Sequence, residues 1–410
     1  MAASSSLARS SSFWPLTLAL GLGSFVVFTN LYITQPMLPY MVKHFGVTPL
    51  LAGQSFTFAT ATLALSLLIF GPLSDVFGRK RLMMASTVAA VSCTLALAWV
   101  DDLHSLLVWR ALQGVFLAGL PAIALAYLRE QLAAGEFRTA VGVYISANSL
   151  GGIGGRLIGG FLIEHFTLSQ SFLMMAALSV LLLIPVMVLL PASPAVNGPR
   201  RLPRPKAVAA NIASHLGNPT LRWAYIIGGL NFFVFVNQFS YATFRLSKEP
   251  YALAPSALGM LFLTYLSGTL GAAWSGRWFR RLTPPQVMLL GIVLLMLGSL
   301  VTLAESLWVI VIGFLINTLG FFIAHANASG WVSRQAEHTP ATASSVYLVC
   351  YYLGASTGGY YLDPFWRQFG WSGVVMASWL VLAITAWCAW QLQRVEQQRL
   401  EQQRWANRAA

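Results

Sequence analysis

Gly71-Pro72-Leu73-Ser74-Asp75-Val76-Phe77-Gly78-Arg79-Lys80-Arg81-Leu82 lies between two long apolar runs and packs one acid, two glycines and three cations into a short loop. A loop joining two membrane helices needs water-soluble charge, and Arg79, Lys80 and Arg81 alone would mark a cytoplasmic side. Asp75 and the glycines ask for more. An acid beside the N-terminus of the following helix can cap it and meet the positive end of its dipole. Gly78 permits a backbone turn that a side chain would block. The stretch reads as a latch of helix end, carboxylate and basic cluster, with Gly71, Asp75, Gly78, Arg79 and Lys80 as its parts.

The rest of the chain agrees. Of 410 residues, 57% are apolar and 9% are charged, and mean hydropathy is positive. A soluble protein of this size carries about a quarter charged residues, so this composition describes a membrane protein. The net charge of +13 is spread through short loops. It is not gathered with aromatics in one polar domain, so nucleic acid is no partner and anionic lipid headgroups are the natural one. Cys93, Cys350 and Cys388 all fall in apolar runs and make neither a disulfide framework nor a metal site. None of Lys43, Lys80, Lys206 and Lys248 stands in a Gly-Lys-Ser/Thr phosphate loop, no His-Glu-x-x-His is present and no paired acids lie in a span. An ATP-driven pump or a membrane-embedded enzyme therefore has no visible apparatus, and no cofactor is expected.

A membrane span needs about 20 mostly apolar residues. Twelve runs qualify, near 14–37, 52–70, 82–100, 106–127, 140–162, 171–190, 221–244, 256–275, 287–304, 307–327, 343–361 and 374–390. The first is read as an uncleaved span, because no small-residue cleavage site follows it. With both termini inside, 19 of the 25 lysines and arginines fall on the inner side and four on the outer, while Arg110 and Arg156 lie within spans. The expected organisation is a cytoplasmic tail 1–13, a six-helix bundle 14–190, a cytoplasmic linker 191–219, a second bundle 220–390 and a cytoplasmic tail 391–410. Val208, Ile212 and Leu216 give the linker a short helix expected to lie on the membrane surface. The halves echo each other: Gly71…Arg81-Leu82 recurs as Gly271…Arg281-Leu282, with Ser275 in place of Asp75, and Gly151-xxx-Gly155 recurs as Gly354-xxx-Gly358. Paired six-helix halves are what repeat-built transporters use, with a substrate site between them near the bilayer midplane.

Two charges stand inside spans. A charge at mid-bilayer costs about 2.5–3.5 kcal/mol even on lenient scales, so it normally faces the bundle interior with a partner. Arg110 shares a face with Gln113 and Gly114; the alternative is a side chain snorkelling to the surface. In the fifth span Gly151, Gly155 and Gly159 form one stripe, and Gly152, Arg156 and Gly160 form its neighbour. Close helix packing explains the glycines. It does not explain Arg156. All twelve acids fall in loops, tails or span ends, so two arginines without a mid-membrane acid make a positive cavity that favours anionic or neutral polar solutes over lipophilic cations. Proton coupling would then use His325, Glu164-His165 or Asp75. For His325 a neutral hydrogen-bonded core histidine is the competing reading. Further cavity candidates are Asn30, Tyr32 and Gln35 on the first span, Asn231, Gln238 and Tyr241 on the seventh, and Tyr351 on the eleventh, where Tyr347 and Tyr352 read as packing.

The opening stretch resembles the signature loop of the major facilitator superfamily, G-x-L-x-D-x-x-G-R-[RK], matched at Gly71, Leu73, Asp75, Gly78, Arg79 and Lys80. Arg110, Gln113 and Gly114 resemble that family's R-x-x-Q-G motif, whose arginine is implicated in proton coupling or substrate contact. Gly151, Gly155, Gly159 and Gly160 resemble its antiporter motif, with Arg156 where that motif has proline, a departure that weakens transfer of the motif's hinge role and suggests a cationic group presented to the central cavity. The resemblance covers nearly the whole chain and is strongest to bacterial drug:proton antiporters and sugar-efflux permeases. It implies an all-α integral membrane fold of 12 helices in two pseudo-symmetric bundles. It also implies a monomeric inner-membrane exporter of a small molecule, coupled to protons and working by alternating access, with the Asp75 loop latching the cytoplasmic side. A uniporter or importer of the same fold and a transporter-like sensor are the alternatives.

Overall fold

The computed structural model describes residues 13–191, 205–336 and 340–409. The described residues are helical with short connections and no strand. The first tail and most of the expected linker lie outside them. The helices are α1 Phe13–Tyr32, α2 Leu38–Phe45, α3 Pro49–Phe77, α4 Arg79–Ala96, α5 Leu103–Leu117, α6 Gly119–Gln131, α7 Ala134–His165 and α8 Leu168–Leu189. They continue as α9 Pro205–Gly217, α10 Pro219–Leu246, α11 Pro255–Met260, α12 Tyr265–Trp278, α13 Pro284–Val301, α14 Leu307–Gln335 and α15 Pro340–Ala409. Helix α9 occupies the place of the expected linker helix.

Among the described residues, ten helical stretches are long and apolar enough to cross a membrane. One of them, Thr342–Gln398, is 57 residues long and holds both the eleventh and the twelfth expected spans. Its break is Gly370, at φ 58° and ψ −138° inside α15. The fifth expected span lies in α7, whose glycines and polar groups leave it outside the ten. Twelve spans are thereby accounted for. Their outer faces carry exposed leucine, isoleucine, valine and tryptophan, as along Val180, Leu181, Ile184 and Val188 of α8. In water such faces would aggregate. Inside a bilayer they are the expected surface, because helices satisfy their own backbone.

The chain divides into two compact units, one of residues 1–203 with 246–262, the other of 204–245 with 263–410. In the first, α1 lies against the glycine stripe of α7. A Cβ on Gly151 would come within 2.8 Å of Phe25 O, one on Gly155 would strike the Thr29 backbone, and one on Gly159 the Ile33 carbonyl. Three glycines four apart therefore receive Phe25 and Thr29 of α1 and Ile33 just beyond its end, also four apart, which is ridge-into-groove packing with one ridge reduced to backbone. The second unit repeats this seam. Gly354 of α15 abuts Gly229 of α10, and Gly358 abuts Phe233 and Asn237. The sequence repeat is thus a repeat of one helix contact.

Gly78 ends α3 and starts α4 at φ 89°, a region L side chains avoid. Gly71 differs, because a Cβ there would meet nothing. Asp75 sits in the last turn of α3, and no side chain caps α4. The expected cap is replaced by an ion pair within the junction.

Gly155→Leu is expected to lower the thermal melting point of the detergent-purified protein, since forcing extra volume into a packed seam costs about 1–3 kcal/mol. Gly142 of the same helix has open space around it. Gly142→Ala should leave the melting point unchanged or raise it, because alanine is the better helix former by about 0.5–1 kcal/mol. Equal melting of the Gly155 variant and the parent would refute the seam.

Candidate functional site

Pro36 decides the first cluster. Proline has no N–H and disfavours the helical conformation before it, and α1 ends at Tyr32 in a run of turns through Met37. The last carbonyls of a helix need partners from elsewhere. Arg110 supplies them: NH1 donates to Asn30 O at 2.9 Å and NH2 to Leu31 O at 2.7 Å, while Nε donates to Ser55 O of α3 at 2.9 Å. NH1 also donates to Gln113 Oε1. From Gln113 the network runs Nε2 to Thr94 Oγ1 at 2.7 Å, and Thr94 Oγ1 to Asn30 Oδ1 at 2.6 Å. Asn30 Nδ2 then donates to Ser179 Oγ at 2.9 Å. Arg110, Gln113 and Thr94 are wholly buried. The guanidinium therefore fastens α1, α3 and α5 together, and Gln113, Thr94, Asn30 and Ser179 extend the network to α4 and α8. Asp102 fixes where α5 begins by accepting from Ser105 N and Oγ at 2.9 and 2.6 Å. Those two bonds, the hydroxyl one first, hold its carboxyl below the usual aspartate range.

The second unit has a neutral counterpart. Gln238 Nε2 donates to Ser299 Oγ at 2.7 Å, and Asn317 Nδ2 donates to Gln238 Oε1 at 3.0 Å. Amide, hydroxyl and amide stand on α10, α13 and α14, as Asn30, Thr94 and Gln113 stand on α1, α4 and α5. Sequence reading singled out Gln238 but neither Ser299 nor Asn317. A hydroxyl and an amide within apolar runs were the available signal.

Arg156 occupies a different environment. Nε donates to Gln35 Oε1 at 2.6 Å and NH1 to Gly152 O at 2.8 Å. Its guanidinium carbon lies 3.9 Å from the Tyr32 ring centre and 4.5 Å from that of Phe262. Phe262 belongs to the 246–262 segment, whose α11 crosses the second glycine stripe. Gly160 meets the Pro255 carbonyl, and Gly259 meets the carbonyl of Arg156. Glu164 accepts from Ser256 N at 2.9 Å. Tyr32, Gln35 and Arg156 are thus one cluster, buried among ring faces. Nothing in the sequence pointed to Phe262.

The opening stretch is an ionic junction. Arg79 NH2 lies 3.1 Å from Asp75 Oδ1 and 2.7 Å from Glu130 Oε1 of α6. Lys80 Nζ donates to the Leu190 carbonyl at the end of α8, where a cation also meets the negative end of the dipole. The partly exposed Arg79, Asp75 and Glu130 contrast with the buried arginines.

Elsewhere in the second unit, His325 Nδ1 and Tyr347 Oη are 2.9 Å apart, and the His325 ring lies 4.6 Å from that of Tyr351. Asn231 is 1% exposed, yet neither amide atom has a partner among the described residues. Asp363, expected at a span end, sits on unbroken α15 helix and is 3% exposed. It pairs with Arg367 at 2.6 Å and accepts from Tyr241 Oη at 3.3 Å. His325 and Tyr351 are brought together; Asn231 and Gln238 share a helix without a common contact.

Arg110→Lys keeps the charge and loses the planar fork. Each buried carbonyl left unpaired costs about 1–3 kcal/mol, so the variant should melt well below the parent. A melting point equal to the parent's would show that the network does not hold the break in α1.

The arrangement matches known proteins along most of its length. Residues 20–359 fit the model of the Major Facilitator Superfamily. The chain is 35% identical over 382 residues to the uncharacterized MFS-type transporter YybF of Bacillus subtilis, covering 93% of this chain and 94% of that one. It is 35% identical over 374 residues to the inner membrane transport protein YnfM of Escherichia coli, covering 91% and 89%. The crystal structure of the nucleoside transporter NupG superposes with a TM-score of 0.75 at 14% identity, covering 92% of this chain and 99% of that one. At that identity the likeness concerns the fold alone. Fold, polar network and family model converge: the chain belongs to the Major Facilitator Superfamily, and it is a membrane transporter of small molecules rather than an enzyme.

Proposed function

We propose that the chain is a proton-coupled exporter. It moves a neutral polar or anionic small molecule or drug across the inner membrane by alternating access, as a monomer with both termini in the cytoplasm and its basic loops against anionic lipid headgroups. The transporter halves are 14–190 and 220–390, with 191–219 as linker. The observation that carries the reading is the junction at Arg79. Alternating access needs a contact that holds one state and breaks within a turnover. Exposed ion pairs contribute only about 0–1 kcal/mol each, so Arg79 with Asp75 and Glu130 forms a contact of the right strength.

Other features support the finer parts. The likeness of Gly151, Gly155, Gly159 and Gly160 to the antiporter motif supports outward transport against proton entry, and YnfM, by its name an inner membrane protein, supports the location. An amide, a carbonyl and two ring faces orient Arg156, and a buried cation supports an anionic or neutral polar solute. Arg110 supports the reading through structure, because four of its five N–H donors are given to backbone and Gln113. The buried pair of Asp363 and Tyr241 joins His325 as a candidate proton carrier.

Purified protein in liposomes under an imposed pH gradient, followed by an internal dye, tests the proposal. Sugars or organic acids should collapse the gradient and lipophilic cations should not; collapse by cations alone would overturn the solute class, and no collapse by any solute would overturn coupling. Asp75→Asn should cut turnover by about two- to fivefold while solute affinity stays within about twofold, because an exposed pair is worth at most about 1 kcal/mol. Arg156→Gln should weaken anionic solutes selectively. Equal weakening of all solutes would make Arg156 structural.

A further inference from the structure

Helix α12 turns its small residues toward α14 and its large ones outward. A Cβ on Gly268 would strike Phe322 and the Thr318 carbonyl, and one on Gly271 would strike Leu319. Ser275, a turn further, accepts from Asn327 Nδ2 at 3.4 Å. The opposite face runs Leu266, Leu270, Trp274 and Trp278, each four residues after the last and each exposed. Residues four apart share one helix face, so this is a continuous apolar track suited to acyl chains. It ends in two tryptophans, a residue enriched at the membrane–water boundary.

Cations gather where the track ends. Arg277 sits in the last turn of α12, and Arg280 and Arg281 follow in the connection to α13. All three are exposed, and none makes a hydrogen bond or ion pair among the described residues. Trp274 and Trp278 meet edge to face with centroids 5.7 Å apart, and their indole N–H groups likewise have no acceptor among the described residues. The matching junction of the first unit differs. There Lys80, at the position of Arg280, donates to the Leu190 carbonyl, and Arg79 pairs with Asp75 and Glu130. With Ser275 in place of Asp75, the second junction has the cations without the acid.

Guanidinium and indole groups donate hydrogen bonds and cannot accept them, so the patch fits an anion with several oxygens. A guanidinium matches a phosphate through two parallel bonds. The arginines alone would suit any phosphate; the tryptophans and the apolar face beside them select one that carries acyl chains. We propose that this end of α12 is a binding site for one anionic phospholipid. Its phosphodiester lies on Arg277, Arg280 and Arg281, its glycerol region at Trp274 and Trp278, and an acyl chain along Leu270 and Leu266. The lipid supplies the negative charge that Asp75 supplies in the first unit. The site deepens, and rests on, the part of the transport reading that sets basic loops against anionic headgroups.

Native mass spectrometry of the detergent-purified protein, titrated with dioleoylphosphatidylglycerol or dioleoylphosphatidylcholine, tests the site without transport. The two lipids share their acyl chains and differ in headgroup charge. The anionic one should bind at least about tenfold more tightly, since each cation at a membrane surface adds roughly fivefold to affinity for anionic lipid. Combining Arg277→Gln, Arg280→Gln and Arg281→Gln should erase the preference. Combining Arg129→Gln, Arg138→Gln and Arg222→Gln removes as much charge from other exposed arginines and should keep it. Equal retention of the two lipids by the parent, a parent-like preference in the first triple variant, or equal loss in both triple variants would overturn the site. Trp274→Leu with Trp278→Leu should weaken phosphatidylglycerol at least threefold, and unchanged binding would overturn the part given to the rings. Glycerol 1-phosphate, the headgroup chemistry without chains, should not displace the lipid; displacement would show a site for soluble anions instead. Should the first triple variant not fold, its three single variants decide, each expected to lose about three- to fivefold. Solute-driven proton movement in liposomes without a lipid preference leaves the transport reading standing and this site refuted; a lipid preference without proton movement is the reverse.

Discussion

The constraint on which the first unit depends is the set of carbonyls released where α1 ends. Apolar surroundings offer no water to satisfy them, so each must find a donor in the protein. One guanidinium, wholly buried, takes Asn30 O, Leu31 O and Ser55 O together with the Gln113 side chain. A lysine is a point charge and lacks this geometry. The cost of burying the charge is met by these neutral acceptors, so Arg110 reads first as the bond that lets α1 end at Tyr32, ahead of Pro36, and only then as a group open to chemistry.

Because that break is held, the residues after it can turn toward α7. Tyr32 and Gln35 meet Arg156 there, on the second glycine stripe, while the first stripe receives α1 itself. The two stripes divide the labour. Gly151, Gly155 and Gly159 remove side chains so that one helix can approach, whereas Gly152, Arg156 and Gly160 face the turn of α1 and the 246–262 segment. The second unit builds its own seam from Gly354 and Gly358 and replaces the charged network by the neutral set Gln238, Ser299 and Asn317. The repeats therefore share packing and differ in charge.

Much of this was legible in the sequence because it rests on local pattern. Span lengths, the i, i+4 glycines, the charge bias of the loops, the repeat offsets and the motif around Asp75 are one-dimensional signals with direct physical causes. They determined a twelve-helix membrane protein of the Major Facilitator Superfamily, with Arg110 and Arg156 as its inward charges. What a buried polar group bonds to was not legible, because partners come from helices far apart in the chain. Asn30 read as a cavity residue and lies within a hydrogen-bond network. Asp363 read as a span-end acid and is buried on continuous helix, because α15 does not break until Gly370. Asp75 read as a helix cap and is an ion-pair partner of Arg79. The sequence by itself determined which residues could not face lipid; only the tertiary structure decided which of them satisfy one another, because hydrogen bonds between helices depend on register and crossing, which no single helix encodes.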